Sequence, residues 1–479
     1  MLQIAVLLLA TACANAGYSD PNFVGDRQVI VHLFEWKWTD IARECEKYLG
    51  PYGFAGVQVS PPMGHREFGD VPTPYPWWQR YQPVNYTLES RSGTEAEFKD
   101  MVATCNENGV RIYVDAVINH MAVDDSYTFE AVPYYPPNFN VPNGKCNTTS
   151  GNIESYQDAH QVRKCNLVGL CDLDHCNLDT RTKVQEYLNR ALSYGVTGFR
   201  FDAAKHMCPG QISKILSGLQ DCSFGGSPYL YQEVIDRGGE PIKSSDYTHL
   251  GDVTEFKYCG YIAGIADESF DLRSLKDYAT ESGMLESSSA FVFVDNHDNQ
   301  RGHGGAGNEI LSFQKPKFYK MAVAFTLANN YGTVRIMSSY KFNNTDQGPP
   351  SNSGKDTQSP EFNSDLTCKG NWVCEHRWPE FRNMVHFRNF AGTAPVTWTY
   401  ESSTFIAFSR GNTAFFALST GESQECRQIL TNLDPGTYCD LISGETSGQV
   451  CTGKVITVDG SRFANICLGG EDSMVAIAV

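Results

Sequence analysis

The sequence has no long apolar run after its first residues and no excess of positive charge. Beyond residue 16, no stretch approaches the roughly 18 consecutive apolar residues of a membrane-spanning helix. Its 38 Lys and Arg residues face 55 Asp and Glu residues, which gives a net charge of −17. An acidic surface repels nucleic acid and anionic membranes. We therefore expect neither nucleic acid nor a membrane as partner, and a neutral ligand fits the charge better.

The one apolar run stands at the start of the chain. Residues 2–12 are almost all apolar, and Ala14-Asn15-Ala16 offers small residues for cleavage. This pattern is typical of a secretory signal peptide, here residues 1–16. We therefore predict a secreted, extracellular protein.

Cysteine is abundant for a chain long enough to build a large core without covalent links. Cys13 would leave with the signal peptide, so an odd number of the 16 cysteines remains. In a secreted protein most of them should form disulfides. The close pairs Cys368–Cys374 and Cys439–Cys451 are natural local bridges, although spacing alone does not prove either one.

Short β-rich runs alternate with helical patterns over most of the chain. Tandem repeats and low-complexity tracts are absent from the sequence. Alternating strands and helices favour a parallel sheet, and eight strands suggest a closed (β/α)8 TIM barrel. The predicted strands span residues 29–34, 54–60, 110–119, 197–203, 229–235, 252–258, 291–294 and 333–339.

Two regions depart from this alternation. Residues 119–172 are rich in Pro, Asn and Gly, which predicts an irregular domain inserted after the third strand. Residues 392–479 alternate apolar and polar residues between turns, which favours an antiparallel β-sandwich. The barrel would then comprise residues 17–118 and 173–391.

Carboxylates follow three of the predicted strands. Asp202 ends "GFRFDAAKH", Glu233 ends "YQEV", and Asp298 lies in "FVFVDNHDNQ". Each one alone is more often a structural ion pair than a catalyst. Chemistry in such barrels takes place at the carboxyl ends of the strands, however. Crowded carboxylates also raise the pKa of at least one member, which suits a general acid.

Four of these segments together resemble a known family. "DAVINH", "GFRFDAAKH", "QEVIDRGGE" and "FVDNHDNQRGHGG" look like the signature regions of α-amylases, in the same order and on the corresponding strands. "YPWWQRYQP" and "TVRIMSSY" are similar to the animal-type, chloride-dependent branch. The resemblance covers nearly the whole chain after the signal peptide.

The resemblance implies a division of labour among the carboxylates. Asp202 would be the nucleophile that forms a covalent glycosyl-enzyme. Glu233 would protonate the departing oxygen and then activate water, which gives hydrolysis with retention of configuration. Asp298 would hold sugar hydroxyls and favour the distorted ring of the transition state.

Further residues would contact the sugar chain. Aromatic rings offer apolar faces to sugars, although a single exposed aromatic residue is more often explained by ordinary packing. His120 could equally be a satisfied core histidine, but it ends a strand. The substrate contacts implied by the resemblance are Trp77, Trp78, Tyr81, Gln82, His120, Tyr156, Lys205, His206, Glu240, His297 and His303. The glycine-rich residues 302–307 would form a loop that closes on substrate, or else a plain surface turn.

Calcium is the first cofactor that the resemblance implies. Asn119 and Asp172 would be side-chain ligands, with backbone carbonyls from Arg163 and His206. All are oxygen ligands, as calcium requires. The ion would pin the insertion over the cleft. A zinc cluster of Cys165, Cys171, Cys176 and His175 is disfavoured, because an oxidising compartment favours disulfides.

Chloride is the second implied cofactor. Arg200, Asn296 and Arg335 resemble its site in the animal enzymes. Two arginines inside a barrel need an anionic partner. The alternative is that Glu233 or another carboxylate pairs with them directly.

The resemblance also bears on the cysteines. It implies the disulfides Cys45–Cys105 and Cys146–Cys165. Additional candidate bridges are Cys208–Cys222 and Cys426–Cys467. The family disulfides do not account for Cys171, Cys176, Cys208, Cys222 and Cys259.

The leading hypothesis is a secreted, digestive, endo-acting α-amylase that cleaves internal α-1,4 bonds of starch and glycogen. We expect a monomer, and proteinaceous amylase inhibitors are further candidate partners. One rival is an α-glucosidase or glucan-transferring enzyme on the same scaffold. Another is a non-enzymatic glycan-binding or transporter-associated homologue, which would predict a missing carboxylate or a membrane anchor; the sequence has neither feature.

Overall fold

A computed structural model describes residues 17–304, 310–352, 354–447 and 450–479. The predicted signal peptide lies outside the described residues, and so do residues 305–307 of the predicted glycine-rich loop. Within the described part of the chain, no helix is both long and apolar enough to span a bilayer.

Eight parallel strands close into a barrel, as the alternating pattern predicts. Neighbours in the barrel are neighbours in the chain, and the last strand pairs with the first. The strands are β1 (Val29–Leu33), β2 (Gly56–Val59), β3 (Arg111–Ala116), β4 (Gly198–Phe201), β5 (Tyr229–Gln232), β6 (Asp252–Thr254), β7 (Ala290–Val292) and β8 (Thr333–Ser338). Nearly every strand residue is buried, because the interior covers one face and helices cover the other.

Helices follow most strands and begin at recognisable signals. Thr94 and Glu97 form a capping box at the start of α2, and a proline at the first turn starts α8 and α9. The α-helices are α1 (Trp38–Glu44), α2 (Glu95–Glu107), α3 (Ala159–Lys164), α4 (Leu178–Ser193), α5 (Pro209–Leu216), α6 (Phe256–Ile262), α7 (Tyr278–Glu281), α8 (Pro316–Ala328) and α9 (Pro379–Ala391).

One predicted strand is too long. The run at 252–258 contains two aromatic residues and a valine, which favours a strand. The strand ends at Thr254, and the Glu255 side chain accepts a hydrogen bond from the Lys257 amide. This cap starts α6, so residues 256–258 are helical.

The insertion lies between β3 and β4. His120–Met121 pairs antiparallel with Cys171–Asp172, so the two ends of the insertion meet beside the barrel. The domain boundaries at 118/119 and 172/173 lie within two residues of this pair and stay a prediction. Between them the chain is irregular apart from α3 and short turns.

After α9 the chain forms two four-stranded antiparallel sheets packed face to face. The first sheet has the order β9–β10–β11–β16 and the second β12–β15–β14–β13. The strands are β9 (Val396–Glu401), β10 (Phe405–Arg410), β11 (Ala414–Ser419), β12 (Glu425–Leu430), β13 (Gly436–Cys439), β14 (Val455–Val458), β15 (Phe463–Leu468) and β16 (Met474–Ala478). The first sheet buries one face in the sandwich and the other against the barrel helices.

Five disulfides are present in the described residues. They are Cys45–Cys105, Cys146–Cys165, Cys368–Cys374, Cys426–Cys467 and Cys439–Cys451. The candidate bridge Cys208–Cys222 is wrong, because both thiols are free. Cys208 directly precedes α5 and Cys222 follows its far end, and the helix is about 12 Å long. Cys171, Cys176 and Cys259 are also free.

Candidate active site

A cleft of about 690 Å³ opens where the barrel strands end, between the barrel and the insertion. It brings together the three predicted catalytic carboxylates and most of the predicted substrate contacts. Its lining includes Trp77, Trp78, Tyr81, His120, Tyr156, Asp202, Lys205, His206, Glu233, Glu240, His297, Asp298 and His303.

Gln82 is the one predicted substrate contact outside this lining. Its side-chain oxygen accepts a hydrogen bond from the Val123 amide at 3.4 Å. The side chain therefore ties the loop after β2 to the start of the insertion. Trp77, Trp78 and Tyr81 in the same loop do line the cleft. Gln82 was predicted as a substrate contact because it adjoins them in the sequence.

Arg200 on β4 links the carboxylates at the base of the cleft. Its guanidinium donates to Asp115 at 2.6 Å and to Asp202 at 2.9 Å through Nη1. Its Nη2 donates to Glu233 at 2.5 Å. Strand alternation places Arg200 and Asp202 on the same face, and the β3–β4 register places Asp115 directly opposite Arg200.

Glu233 is held from its other side by the backbone. The Ala203 amide donates to Glu233 Oε2 at 2.8 Å. Ala203 has φ 49° and ψ 33°, the left-handed region that a residue with a Cβ adopts at a cost. The turn after Asp202 is therefore strained, and this backbone conformation directs the Ala203 amide toward the Glu233 carboxylate.

Burial and crowding dominate the electrostatics of the cleft. Burial raises the pKa of Asp202 well above its usual value, and the Glu233 charge raises it further while Arg200 opposes both. Burial, followed by the Glu233 charge, raises the pKa of Asp298 to about 7. The sequence predicted repulsion as the cause, but loss of hydration is the larger one.

Two histidines line the same cleft in neutral form. Burial lowers the pKa of His120 to about 4, and its Nε2 lies 3.0 Å from the Tyr81 carbonyl. Burial and nearby arginines hold the pKa of His297 well below its usual range. His297 Nε2 lies 3.3 Å from Asp298 Oδ2. Both rings can therefore hydrogen-bond a neutral ligand near pH 7 without adding charge.

Aromatic rings form one wall of the cleft. The Tyr81 ring stacks on His297 at 5.2 Å, and its hydroxyl donates to Asp115 at 2.9 Å. Trp77 is mostly buried and donates through Nε1 to the Thr345 carbonyl at 2.8 Å. Trp78 is more exposed, so it presents the larger free face.

The opposite wall joins three segments. Lys205 forms an ion pair with Glu240 and donates to the Ile235 carbonyl at 2.8 Å. Its ammonium lies 5.1 Å from the centre of the Tyr156 ring, which belongs to the insertion. The barrel, the insertion and the loop after β5 therefore share this wall.

Comparison with known proteins decides the family. A profile described as "Alpha amylase, catalytic domain" matches residues 48–218, and one described as "Alpha amylase, C-terminal all-beta domain" matches residues 398–479. Alpha-amylase 2B from Homo sapiens is 46% identical, with 99% of each chain covered. Alpha-amylase from Tenebrio molitor is 47% identical over 96% of this chain and 99% of that one. The chain belongs to the α-amylase family. It is accordingly a glycoside hydrolase.

Solved α-amylases share the whole architecture. Wild-type α-amylase I from Eisenia fetida is 43% identical with a TM-score of 0.91, over 96% of this chain and 99% of that one. A mutant of the same enzyme in complex with maltohexaose gives a TM-score of 0.91 at 42% identity, with the same coverage.

The predicted calcium ligands of this α-amylase lie where the insertion meets the barrel. Asn119 Oδ1 is buried and has no hydrogen-bond partner among the described residues. Asp172 is buried without an ion pair in that same part of the chain, and burial raises the pKa of its carboxyl well above the usual value. His206 Nδ1 lies 2.9 Å from the Val162 carbonyl, next to Arg163. Unpaired buried oxygens fit a hard cation.

Sequence reasoning missed Asn140 at this junction. Its Nδ2 donates to Asp172 at 2.6 Å, while its Oδ1 has no partner within the described chain. Among the described residues, no group of three or more His, Cys, Asp or Glu side chains is arranged to hold a metal. The oxygen donors at this junction are instead one carboxylate, side-chain amides and backbone carbonyls.

The predicted chloride residues differ in their hydrogen-bond and ion-pair partners. Arg335 donates to the Gln58 side chain at 2.7 Å, lies over Phe293, and has no described carboxylate within 4.0 Å. Its Nε and Nη2 are buried without partners. Asn296 Oδ1 accepts from the Asn299 amide at 2.7 Å. Direct pairing with carboxylates thus describes Arg200 but not Arg335.

Sequence reasoning also missed Asp115 and Ala203. Asp115 interrupts the apolar run "RIYVDAV", and strand alternation could have placed it on the same face as Arg111 and Tyr113. Nothing in the sequence signals the left-handed backbone at Ala203. Leu167, the exposed Val168 and the buried Leu170 also line the cleft, and sequence reasoning did not assign them to it.

Proposed function

We propose that this enzyme is an endo-acting α-amylase that hydrolyses internal α-1,4 bonds of starch and glycogen with retention of configuration. The observation that carries the proposal is the convergence of Asp202, Glu233 and Asp298 in one cleft. An endo-acting enzyme needs room for the middle of a long glucan chain, and aromatic residues of the loop after β2 and of the insertion line this cleft beside the acids. The maltohexaose complex of the related enzyme supports a glucan of several units as ligand.

In the proposed reaction Glu233 donates a proton to the glycosidic oxygen while Asp202 attacks the anomeric carbon. Glu233 then removes a proton from water, and the hydroxide displaces Asp202 from the sugar. Arg200 opposes the rise in pKa that burial and Glu233 cause at Asp202, so its hydrogen bond favours the carboxylate form that a nucleophile needs. The Ala203 amide and Arg200 fix both oxygens of Glu233 in position.

Asp298, His297 and His120 would bind the sugar at the point of cleavage. Asp298 and His297 are adjacent on one loop and in contact with each other. Hydrogen bonds to sugar hydroxyls that strengthen in a flattened ring would lower the barrier selectively. Trp78 and Tyr81 would stack on the flanking sugars.

Calcium would bind between the insertion and the barrel, held by Asn119, Asp172 and the carbonyls of Arg163 and His206. Its chemistry there is electrostatic, because a divalent cation neutralises a buried carboxylate and satisfies orphaned oxygens. Chloride would lie near Arg335, Arg200 and Asn296. The unpaired nitrogens of Arg335 support this, since a buried guanidinium requires a counter-charge.

The remaining expectations complete the proposal. A leading apolar segment supports secretion, and the pancreatic and insect α-amylases among the relatives are in keeping with a digestive role. We further propose a monomer that acts on starch, with proteinaceous inhibitors able to occupy the same cleft.

Starch digestion separates this proposal from its rival. Chains of several lengths should appear early while the viscosity of starch falls quickly, because cleavage is internal. Release of glucose alone, or transfer to longer chains, would instead identify an α-glucosidase or glucan-transferring enzyme. Repeating the digestion with a calcium chelator and without chloride tests both cofactors.

A further inference from the structure

Arg301 is buried behind the cleft in a cage of four aromatic rings. It ends the short helical turn Asn299–Arg301 that follows Asp298, and only 3% of its surface is exposed. The ring centres lie 4.3 to 5.7 Å from its guanidinium carbon. The rings belong to Phe34, Trp77, Tyr340 and Phe342.

The charge of Arg301 is compensated in an uncommon way. No carboxylate of the described residues lies within 4.0 Å of its guanidinium. Its Nη1 donates to the His297 carbonyl at 2.8 Å. Buried arginines normally have a carboxylate partner in direct contact. Here the rings and this carbonyl are the direct contacts, and the carboxyls of Asp295, Asp298 and Glu375 interact with the charge from beyond 4.0 Å.

The cage gathers segments that are far apart in the sequence. Phe34 follows β1, Trp77 lies in the loop after β2, and Tyr340 and Phe342 follow β8. The rings also contact one another: Phe34 stacks on Tyr340 with centres 5.7 Å apart and meets Trp77 at 6.0 Å. Arg301 therefore fastens the loop after β7 to three other parts of the cleft rim.

That loop carries the residues that face the sugar. Arg301 N and His303 N both donate to the Asp298 carbonyl, at 2.9 and 3.0 Å. Phe34 and Trp77 also contact the His297 ring, at 5.1 and 5.4 Å between centres. A shift of Arg301 would move Asp298 and His297 together, while Asp202 and Glu233 stay fixed by Arg200 on the opposite side.

We propose that Arg301 is a positioning residue for the hydrolysis, which holds Asp298 and His297 in register with the nucleophile by clamping their loop into the aromatic cage. The inference rests on the proposed function of Asp298. It does not require Arg301 to touch the substrate, and the residue is absent from the cleft lining.

Arg301→Met tests the proposal, with a chromogenic maltoheptaoside as substrate. We expect kcat to fall about tenfold or more while KM stays within about threefold, because misplacement affects the reacting sugar but not the distant subsites. Arg301→Lys keeps a cation in the cage, so it should recover part of the lost kcat. The matched control is Arg388→Met, another buried arginine, which binds the carbonyls of Thr326, Asn329 and Gly332. That change should lower thermal stability and leave kcat unchanged.

A second pair of variants covers the case in which Arg301→Met does not fold. Phe342→Leu removes the nearest ring and Phe342→Tyr keeps one, so only the first should lower kcat. Wild-type kcat in folded Arg301→Met, or equal kcat in the two Phe342 variants, would overturn the proposal.

Asp298→Asn separates this inference from the function on which it rests. If Arg301 acts through the Asp298 loop, Arg301→Met should lower kcat by a smaller factor in the Asp298→Asn background than in the wild type. Equal losses in both backgrounds would contradict the clamp. Near-normal turnover of Asp298→Asn alone would instead remove Asp298 from the proposed function.

Discussion

At the residue scale, Arg200 supplies the positive charge that the acids of the cleft share. One guanidinium contacts Asp115, Asp202 and Glu233, so the three carboxylates share a single positive charge. Motifs in the sequence identified Arg200, Asp202 and Glu233, because they lie at the carboxyl ends of barrel strands, which meet at one mouth. The contact from Ala203 depends on a left-handed backbone that composition does not encode.

Glu233→Gln tests the residue proposed to act in both steps. Turnover of starch should fall by roughly three orders of magnitude or more, because the amide can neither protonate the leaving group nor activate water. The variant should fold, since Gln can still bond the Ala203 amide through its oxygen. Glu255→Gln is the matched control, a buried acid that caps α6 away from the cleft, and it should retain normal turnover. Normal turnover of Glu233→Gln itself would remove Glu233 from the mechanism.

Asp298→Asn should change how stability depends on pH. The pKa of Asp298 is raised to about 7 in the folded chain, by burial first and then by Glu233, against about 4 when unfolded. The folded state therefore binds this proton more tightly, and the wild type loses stability as the pH rises from about 4 to 7.

The Asn variant lacks that loss. Its free energy of unfolding relative to the wild type should increase between pH 5 and pH 8, by on the order of 2–4 kcal/mol. Denaturant unfolding at the two pH values measures the difference. An advantage that is the same at both pH values would show that Asp298 does not titrate in this range.

Arg335→Gln tests the proposed anion site. The neutral amide needs no counter-charge, so the rate of starch hydrolysis should respond less to added chloride than in the wild type. Activity with and without chloride at constant ionic strength measures this response. An unchanged response would place the anion elsewhere or remove it from the proposal.

At the element scale, the strands follow from their apolar runs and the helices from their caps. The strand predicted at 252–258 fails at Glu255, because a local side-chain cap outweighs the β propensity of the aromatic residues beside it. The insertion was recognised by its Pro, Asn and Gly content. Its irregular path could not be derived, since few of its backbone contacts follow a repeating pattern.

Asp172→Asn tests whether an ion fastens the insertion. Without calcium the variant should be at least as stable as the wild type, because it buries no charge. With calcium only the wild type should gain stability, since ligand binding to the folded state alone raises its thermal midpoint. Melting curves in calcium and in chelator give both values. Asp158→Asn, at the cap of α3, is the control, and calcium should still raise its thermal midpoint. An equal rise in Asp172→Asn would exclude Asp172 as a calcium ligand.

At the scale of the whole molecule, the first sheet of the sandwich belongs to two cores. Phe408 on β10 meets Phe325 of α8 with ring centres 6.0 Å apart. Phe408→Ala should therefore destabilise the barrel by about 3–5 kcal/mol while kcat per folded molecule is unchanged. Denaturant unfolding followed through activity measures this. Phe463→Ala, on the exposed face of the second sheet, should change stability by less than about 1 kcal/mol. If the free energy of unfolding of the barrel is unchanged in Phe408→Ala, the barrel and the sandwich are independent in stability.

The sharing of Arg200 also constrains how the enzyme could lose its activity in evolution. A lineage that drops Asp202 or Glu233 still keeps the cation neutralised by the acids that remain. A lineage that drops the arginine first leaves three buried carboxyl groups without their shared cation, which should destabilise the folded chain. Descendants of this scaffold that have abandoned hydrolysis should therefore be recognisable by an intact arginine beside a missing acid.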